Sequence, residues 1–169
     1  MEATSLGVTK LKIDGLVVGN PGQASVQGLL RDSNVVWIRG FYCNIGITNS
    51  LAVELWGLRD GLTLARKVNI CKLIIEIDAK LVVDLINSVD YLITLSHPYS
   101  ALIADCRLLI QSFEQACLLH IHHEGSFCID LLTKAQNNAL ESFLEFISPT
   151  SFVVSQLMTD MGGFLPSCM

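Results

Sequence analysis

Four carboxylates stand where an acid is hard to accommodate. Asp14 ends a short alternating segment and precedes a glycine, and Glu54 interrupts the apolar run Leu51-Ala52-Val53-Glu54-Leu55-Trp56. Asp78 closes the apolar segment Leu73–Ile77, and Asp130 interrupts Phe127-Cys128-Ile129-Asp130-Leu131-Leu132. An isolated ionised carboxylate in apolar surroundings is costly, so each should be paired, protonated or bound to a cation. Taken singly, three have ordinary explanations: Asp14 and Asp78 as turn or N-cap residues, and Asp130 as the partner of Lys134 one helical turn on. Glu54 follows Ser50 by one residue too many for a capping box, and its neighbours are apolar. Taken together, two strand-end aspartates on adjacent parallel strands and one acid from each of two crossing helices can converge at one end of a sheet. Such a cluster repels itself unless cations fill it, and an all-oxygen ligand set suits Mg2+ or Mn2+ rather than Zn2+. Two such ions could clamp the attacking and leaving oxygens of a phosphodiester in an in-line displacement.

A second cluster is His120-Ile121-His122-His123. On a strand, His120 and His122 share a face, a spacing that can bind zinc, but no cysteine or acid lies at a partner spacing. Strand or surface histidines are the simpler reading. Trp37, Phe41, Tyr42 and Trp56 could stack bases, yet their placement on alternating and helical positions favours core packing. The six cysteines form no C-x-x-C pair, so buried free thiols are expected.

The elements that must position these groups can be traced along the chain. Residues 9–14 alternate as a half-buried strand, Gly15–Gly22 reads as a loop, and strands follow at about 24–31 and 34–42 around Asp32-Ser33-Asn34. Leu51, Leu55, Leu58, Leu62 and Ala65 recur at helical spacing over 50–68, with Thr48, Asn49 and Ser50 as candidate caps. A strand at 72–77, a helix at 79–88, a loop at 91–98, a helix at 99–112, a strand at 116–122 and a helix at 127–138 complete the order. This β-β-β-α-β-α-α-β-α order predicts an α/β fold: a five-stranded mixed sheet, three strands antiparallel and two parallel, with helices on both faces. The expected organisation is an N-terminal extension at 1–8, one domain at 9–138, and an apolar tail at 139–169, either a packed helix or an extension.

Composition narrows the function classes. A chain of 169 residues that is 51% hydrophobic and 16% charged is neither disordered nor too small for a core. Its longest uncharged stretches, Leu16–Leu30, Tyr91–Ala104 and Phe146–Thr159, each contain proline and are too short to span a bilayer. The start MEATSLGVTKLKID lacks a signal-peptide pattern, so an intracellular protein of the nucleus or cytoplasm, with no membrane partner, is expected, and a monomer is expected as well. A net charge of −5 argues against a nucleic-acid coat protein. The charge is uneven, however: residues 1–80 carry nine Lys/Arg against seven Asp/Glu, and residues 81–169 carry two against nine. A polyanion should favour the first half.

These residues resemble the ribonuclease H family, and within it the plant ribonuclease-H-like domains related to those of non-LTR retrotransposons. The resemblance rests on Lys12–Gly15, Gly19-Asn20-Pro21-Gly22, Gly28–Asp32, Glu54–Leu58, Glu76–Asp78 and His120–Asp130, in order and spacing over about residues 9–138. It implies that Asp14, Glu54, Asp78 and Asp130 are catalytic ligands of two Mg2+ ions, Mn2+ being possible. It further implies cleavage of the RNA strand of an RNA–DNA hybrid, leaving 5′-phosphate and 3′-hydroxyl ends. Gly15, Asn44, Asn49 and Ser50 become candidate hybrid contacts, the last three at minor-groove 2′-hydroxyls. Lys80 and Arg31 become candidate phosphate contacts. His120 and His123 become candidates for the accessory histidine that aids leaving-group protonation or product release. The chain departs from the family pattern at Leu16, at Ser25-Val26-Gln27, and at His123, Ser126 and Ile129; Leu16 and Ile129 put bulk beside two of the aspartates. The alternative reading is a degenerate domain that binds nucleic acid or a protein without cutting.

Overall fold

The computed structural model describes residues 7–122 and 142–148. Three long strands come first, β1 (Thr9–Gly19), β2 (Gly22–Arg31) and β3 (Trp37–Thr48), followed by helix α1 (Ser50–Lys67). Strand β4 (Lys72–Ile77), helices α2 (Lys80–Asn87), α3 (Tyr91–Ser96) and α4 (Ser100–Gln111), and strands β5 (Gln115–His120) and β6 (Phe143–Phe146) complete the order. The sheet runs β5-β4-β1-β2-β3-β6. Strands β1, β2, β3 and β6 pair antiparallel in succession, whereas β1/β4 and β4/β5 are parallel. A mixed sheet was expected; among the described residues it has six strands rather than five.

The sixth strand lies in the segment expected to be a tail. Its neighbours explain it. Phe143 to Phe146 pair with Cys43 to Gly40, and Glu145 meets Lys67 at 2.6 Å and Arg39 at 3.5 Å. Trp37 Nε1 donates to the Ile147 carbonyl at 3.1 Å. None of these partners is close in sequence, so no local pattern announces the strand.

The segment Gly15–Gly22 is not a loop. The β1/β2 ladder continues through it to a closing Gly19↔Gly22 pair, leaving only Asn20 and Pro21 at the turn. Gly19 supplies the left-handed bend, at φ 90°, that this tight reversal needs. The expected loop at 91–98 contains α3, whose start is set by Asp90: its carboxylate accepts from Leu92 N at 3.0 Å and Ile93 N at 3.4 Å. Helix α3 buries only Thr94, so it carries no amphipathic signature. It is held instead by Arg107 of α4, whose guanidinium donates to the carbonyls of Leu85, Ile86 and Ser88 and to Thr94 Oγ1. One side chain thereby satisfies the open C-terminal carbonyls of α2 and links three helices.

Helix α1 is the centre of the core. Leu55, Leu58 and Leu62 are fully buried and pack in one cluster with Leu11, Ile13, Val26, Ile75 and Ile103. Burial of each large aliphatic side chain contributes about 1.5–3 kcal/mol. Close approach to the sheet requires Gly57, because a Cβ there would run into Val26 and lie 2.9 Å from Ile13. Helices α2 and α4 join the same cluster through Val82, Leu85, Ile86, Leu102 and Cys106. The helix expected over 127–138 lies outside the described residues. Among the described residues, no helix is long and apolar enough to cross a membrane. Cys43, Cys71 and Cys106 are free thiols, but Cys117 is disulfide-bonded, which corrects the expectation of six thiols. Trp56 also departs from expectation: it is 36% exposed, with the Arg59 guanidinium over its ring at 5.2 Å.

Two substitutions one position apart on α1 test this packing. Gly57→Ala raises helix propensity by about 1 kcal/mol, yet overpacking against Val26 and Ile13 should lower stability by about 1–3 kcal/mol. Trp56→Ala removes a side chain that is still mostly buried and should lower stability by about 1–3 kcal/mol. Urea midpoints report both, and a Gly57→Ala protein more stable than wild type contradicts the close-approach account.

Candidate metal centre

The parallel β1/β4 ladder ends at the pair Ile13↔Ile77. The next residues, Asp14 and Asp78, therefore leave the ladder side by side. Beyond this point β1 stays paired with β2 while β4 stops, so the two strands part and open a notch between them. Helix α1 brings Glu54 to that notch. Asp14, Glu54 and Asp78 each place one carboxylate oxygen in a group whose members all lie within 4.8 Å of one another. Asp130 lies outside the described residues.

Glu54 is anchored as well as buried. Its Oε1 accepts from the Gly15 backbone N–H at 3.1 Å, and the residue is only 8% exposed. Gly15 has no room for a side chain: a Cβ would lie 2.9 Å from both Glu54 Oε1 and Val53 Cγ1. The role of Gly15 visible here is thus to hold Glu54, a function invisible without the fold. Oε2 of Glu54 is buried without a hydrogen-bond partner.

Burial, then the charges of Asp78 and Asp14, push the Glu54 carboxyl up from 4.5 to about 8, with the Gly15 N–H acting in the opposite direction. Near neutral pH, and with no cation bound, Glu54 is therefore mainly protonated. Three oxygen donors, an unpartnered buried oxygen and a mutual repulsion that a positive charge would relieve are what a hard divalent cation requires. The residues present fit such an ion.

The other candidate residues fare differently. Asn49 caps α1, accepting from Ala52 N at 2.8 Å while its Nδ2 donates to Tyr99 Oη at 2.8 Å. Its side chain is engaged within the protein. Tyr99, half the domain away in sequence, gave no signal of this role. Ser50 is exposed, and its N–H donates to Asn20 Oδ1 at 3.3 Å, tying the β1/β2 turn to the helix start. Asn44 is exposed, with Oδ1 accepting from Gly46 N and Gln23 Nε2. Lys80 is exposed and pairs with Asp84 at 2.8 Å. Arg31 is not a surface phosphate contact: it is buried, with Glu76 3.9 Å away, and Lys10 reaches the same Glu76 at 2.9 Å.

Among the histidines, His120 Nε2 lies 3.1 Å from the Asp78 carbonyl, and its ring contacts His122 edge-on. His120 thus braces the backbone of a cluster residue. His123 lies outside the described residues, and no His joins a metal-type cluster among those described. Leu16 is exposed at 41%.

The fold has counterparts elsewhere. The family model described as reverse transcriptase-like matches residues 12–136. A curated Arabidopsis thaliana protein named "Putative ribonuclease H protein" is 33% identical over 125 residues, 74% of this chain. The chain belongs to this family, as a ribonuclease H domain. It spans about a fifth of the length of the Arabidopsis relative, 20%. Solved structures share the ribonuclease H fold at low identity. LC11-RNase H1, crystallised with an RNA/DNA hybrid, superposes with a TM-score of 0.67 at 18% identity, covering 79% of this chain and 99% of that one. RNase H1 of Halobacterium salinarum gives 0.60 at 20% identity, covering 69% and 87%. The N-terminal ribonuclease H domain of a Mycobacterium tuberculosis protein gives 0.62 at 22%, covering 69% and 88%.

The raised Glu54 carboxyl has a measurable consequence. A group that titrates at about 4.5 unfolded and about 8 folded binds its proton more tightly in the folded state. Its contribution is complete below the unfolded value and is lost as pH rises through the folded one. In EDTA, wild type should therefore lose stability between pH 5 and 8. Glu54→Gln keeps an oxygen for Gly15 N–H and cannot ionise, so its loss over that range should be smaller, and at pH 8 it should be the more stable protein. Equal pH slopes for the two in urea unfolding would refute the assignment.

Proposed function

We propose that this domain is an endoribonuclease that hydrolyses the RNA strand of RNA–DNA hybrids. The observation that carries the proposal is the convergence of Asp14, Glu54 and Asp78 within 4.8 Å at the end of the β1/β4 ladder, with one Glu54 oxygen buried and unpartnered. Membership in the ribonuclease H family and the hybrid seen with LC11-RNase H1 support the choice of substrate.

In this reading Asp14, Glu54, Asp78 and Asp130 would hold two Mg2+ ions, with Mn2+ able to substitute. When bound, such ions supply Lewis-acid stabilisation of charge on the phosphate and make water a better nucleophile at neutral pH. The chain contributes the rest. The Gly15 N–H fixes the direction in which Glu54 presents its unpartnered oxygen, which would bind a cation as the carboxylate, its proton passing to solvent. Asp14 and Asp78 are fixed by strand register, so little reorganisation is needed when the site loads. Asn44 and Ser50, both exposed, would read 2′-hydroxyls, and Lys80 would meet a phosphate after releasing Asp84. Asn49 serves the hybrid indirectly, by fixing the start of α1. His120 and His123 are the candidates for assisting departure of the cleaved strand. The working form is a monomer of the nucleus or cytoplasm.

A labelled RNA–DNA hybrid with Mg2+ tests this directly. Wild type should cut the RNA strand, leaving 5′-phosphate ends. Asp14→Asn and Glu54→Gln should lower the rate beyond the roughly 10- to 100-fold loss typical when a group merely supporting a metal ligand is removed. Equal cutting by all three proteins, or cutting that survives EDTA, sinks the proposal. Hybrid binding by wild type with no cutting would select the degenerate binding module.

A further inference from the structure

Among the described residues, three buried side-chain polar atoms lack a hydrogen-bond partner: Glu54 Oε2 and both amide atoms of Gln27. An unpaired buried polar atom is destabilising, and in a native protein it calls for an explanation. For Glu54 the explanation is the carboxylate cluster. Gln27 is 2% exposed and sits in the middle of β2 with Leu29, equally buried, two residues on. An apolar side chain would meet no penalty there.

Register supplies the connection. In the antiparallel β1/β2 ladder, Gln27 stands directly opposite Asp14. Residues so opposed present their side chains on the same face, with Cβ atoms about 4.5–5.5 Å apart. The three unpaired atoms therefore belong to the two residues that flank Asp14, one on α1 and one on β2. A glutamine amide can donate to a carboxylate oxygen without bringing a positive charge that would oppose a cation, which Lys or Arg would do.

We propose that Gln27 is a positioning residue of the metal centre, its Nε2 donating to the Asp14 carboxylate when the cluster holds a divalent cation. One Asp14 oxygen is then oriented by the amide and the other is presented to the ion. The inference rests on the reading of the cluster as a cation site. Partners of ligating carboxylates commonly contribute about 10- to 100-fold to metal affinity.

The test uses the full chain and Mn2+ alone, followed through the EPR signal of the free ion, beside urea unfolding in EDTA. Gln27→Met fills similar space without the amide. It should be at least as stable as wild type in EDTA and yet bind Mn2+ about tenfold more weakly. Asp14→Asn should abolish binding. Unchanged Mn2+ affinity in Gln27→Met, with binding by wild type and none by Asp14→Asn, overturns the role of Gln27 and leaves the cation site standing. Absence of Mn2+ binding by wild type overturns both. Should Gln27→Met not fold, Gln27→Leu is read in the same way; failure of both to fold assigns the amide to the fold itself and overturns the proposal.

Discussion

The parallel pairing of β1 with β4 is the constraint from which the rest of the domain follows. It joins segments about sixty residues apart, and its last pair, Ile13↔Ile77, leaves two aspartates adjacent with nowhere to go but the notch between the parting strands. Neither aspartate needs a specific contact to be brought to the other. Repulsion between them is accepted because Leu11, Ile13, Ile75 and Ile77 pack beneath them against α1, and that burial outweighs it. The pairing also requires a crossover, and α1 lies in it, so the element that supplies the third acid is the one that makes the ladder possible.

That helix carries two tasks with opposite demands. Its apolar stripe must sit close enough to the sheet to exclude water, which Gly57 permits by leaving room for Val26 and Ile13. Yet it must also deliver Glu54 into the same dry interface. The cost is visible in the carboxyl, raised to about 8 by burial and by its two acidic neighbours. The Gly15 N–H compensates only in part. Stability and binding capacity are therefore in tension at one residue, as expected where a local rule of packing is broken for function.

The acidic balance of the chain takes on a different meaning in this light. A net charge of −5 looks unfavourable for a nucleic-acid partner, but three of the acids converge at one centre, where a bound cation would neutralise them. Other charges are absorbed by structure. Glu76 is matched by Lys10 and Arg31 across three strands, and Glu145 by Lys67 and Arg39. The distribution of charge, more than its sum, bears on where a polyanion can approach.

The sequence by itself determined the elements whose signal is local. Alternation marked β1, the apolar run marked β4, helical spacing marked α1, and Asn49 stood where a cap should stand. It also marked Asp14, Glu54 and Asp78 as misplaced acids, since an acid inside an apolar pattern is anomalous wherever the pattern goes. What it missed depends on contacts between distant segments. The length of the β1/β2 hairpin is set by cross-strand pairing that overrides the glycines and proline of 15–22. Strand β6 exists because β3 offers an edge and Lys67 and Arg39 offer charges to Glu145. Helix α3 is held by Arg107 rather than by a buried face, and Trp56 points outward although its neighbours point in. The placement of Gln27 opposite Asp14 is likewise a matter of register, and register is not written in either strand alone. Residue type determines what a side chain can do chemically, but only the tertiary fold decides which groups face one another, because pairing and burial are properties of two segments at once.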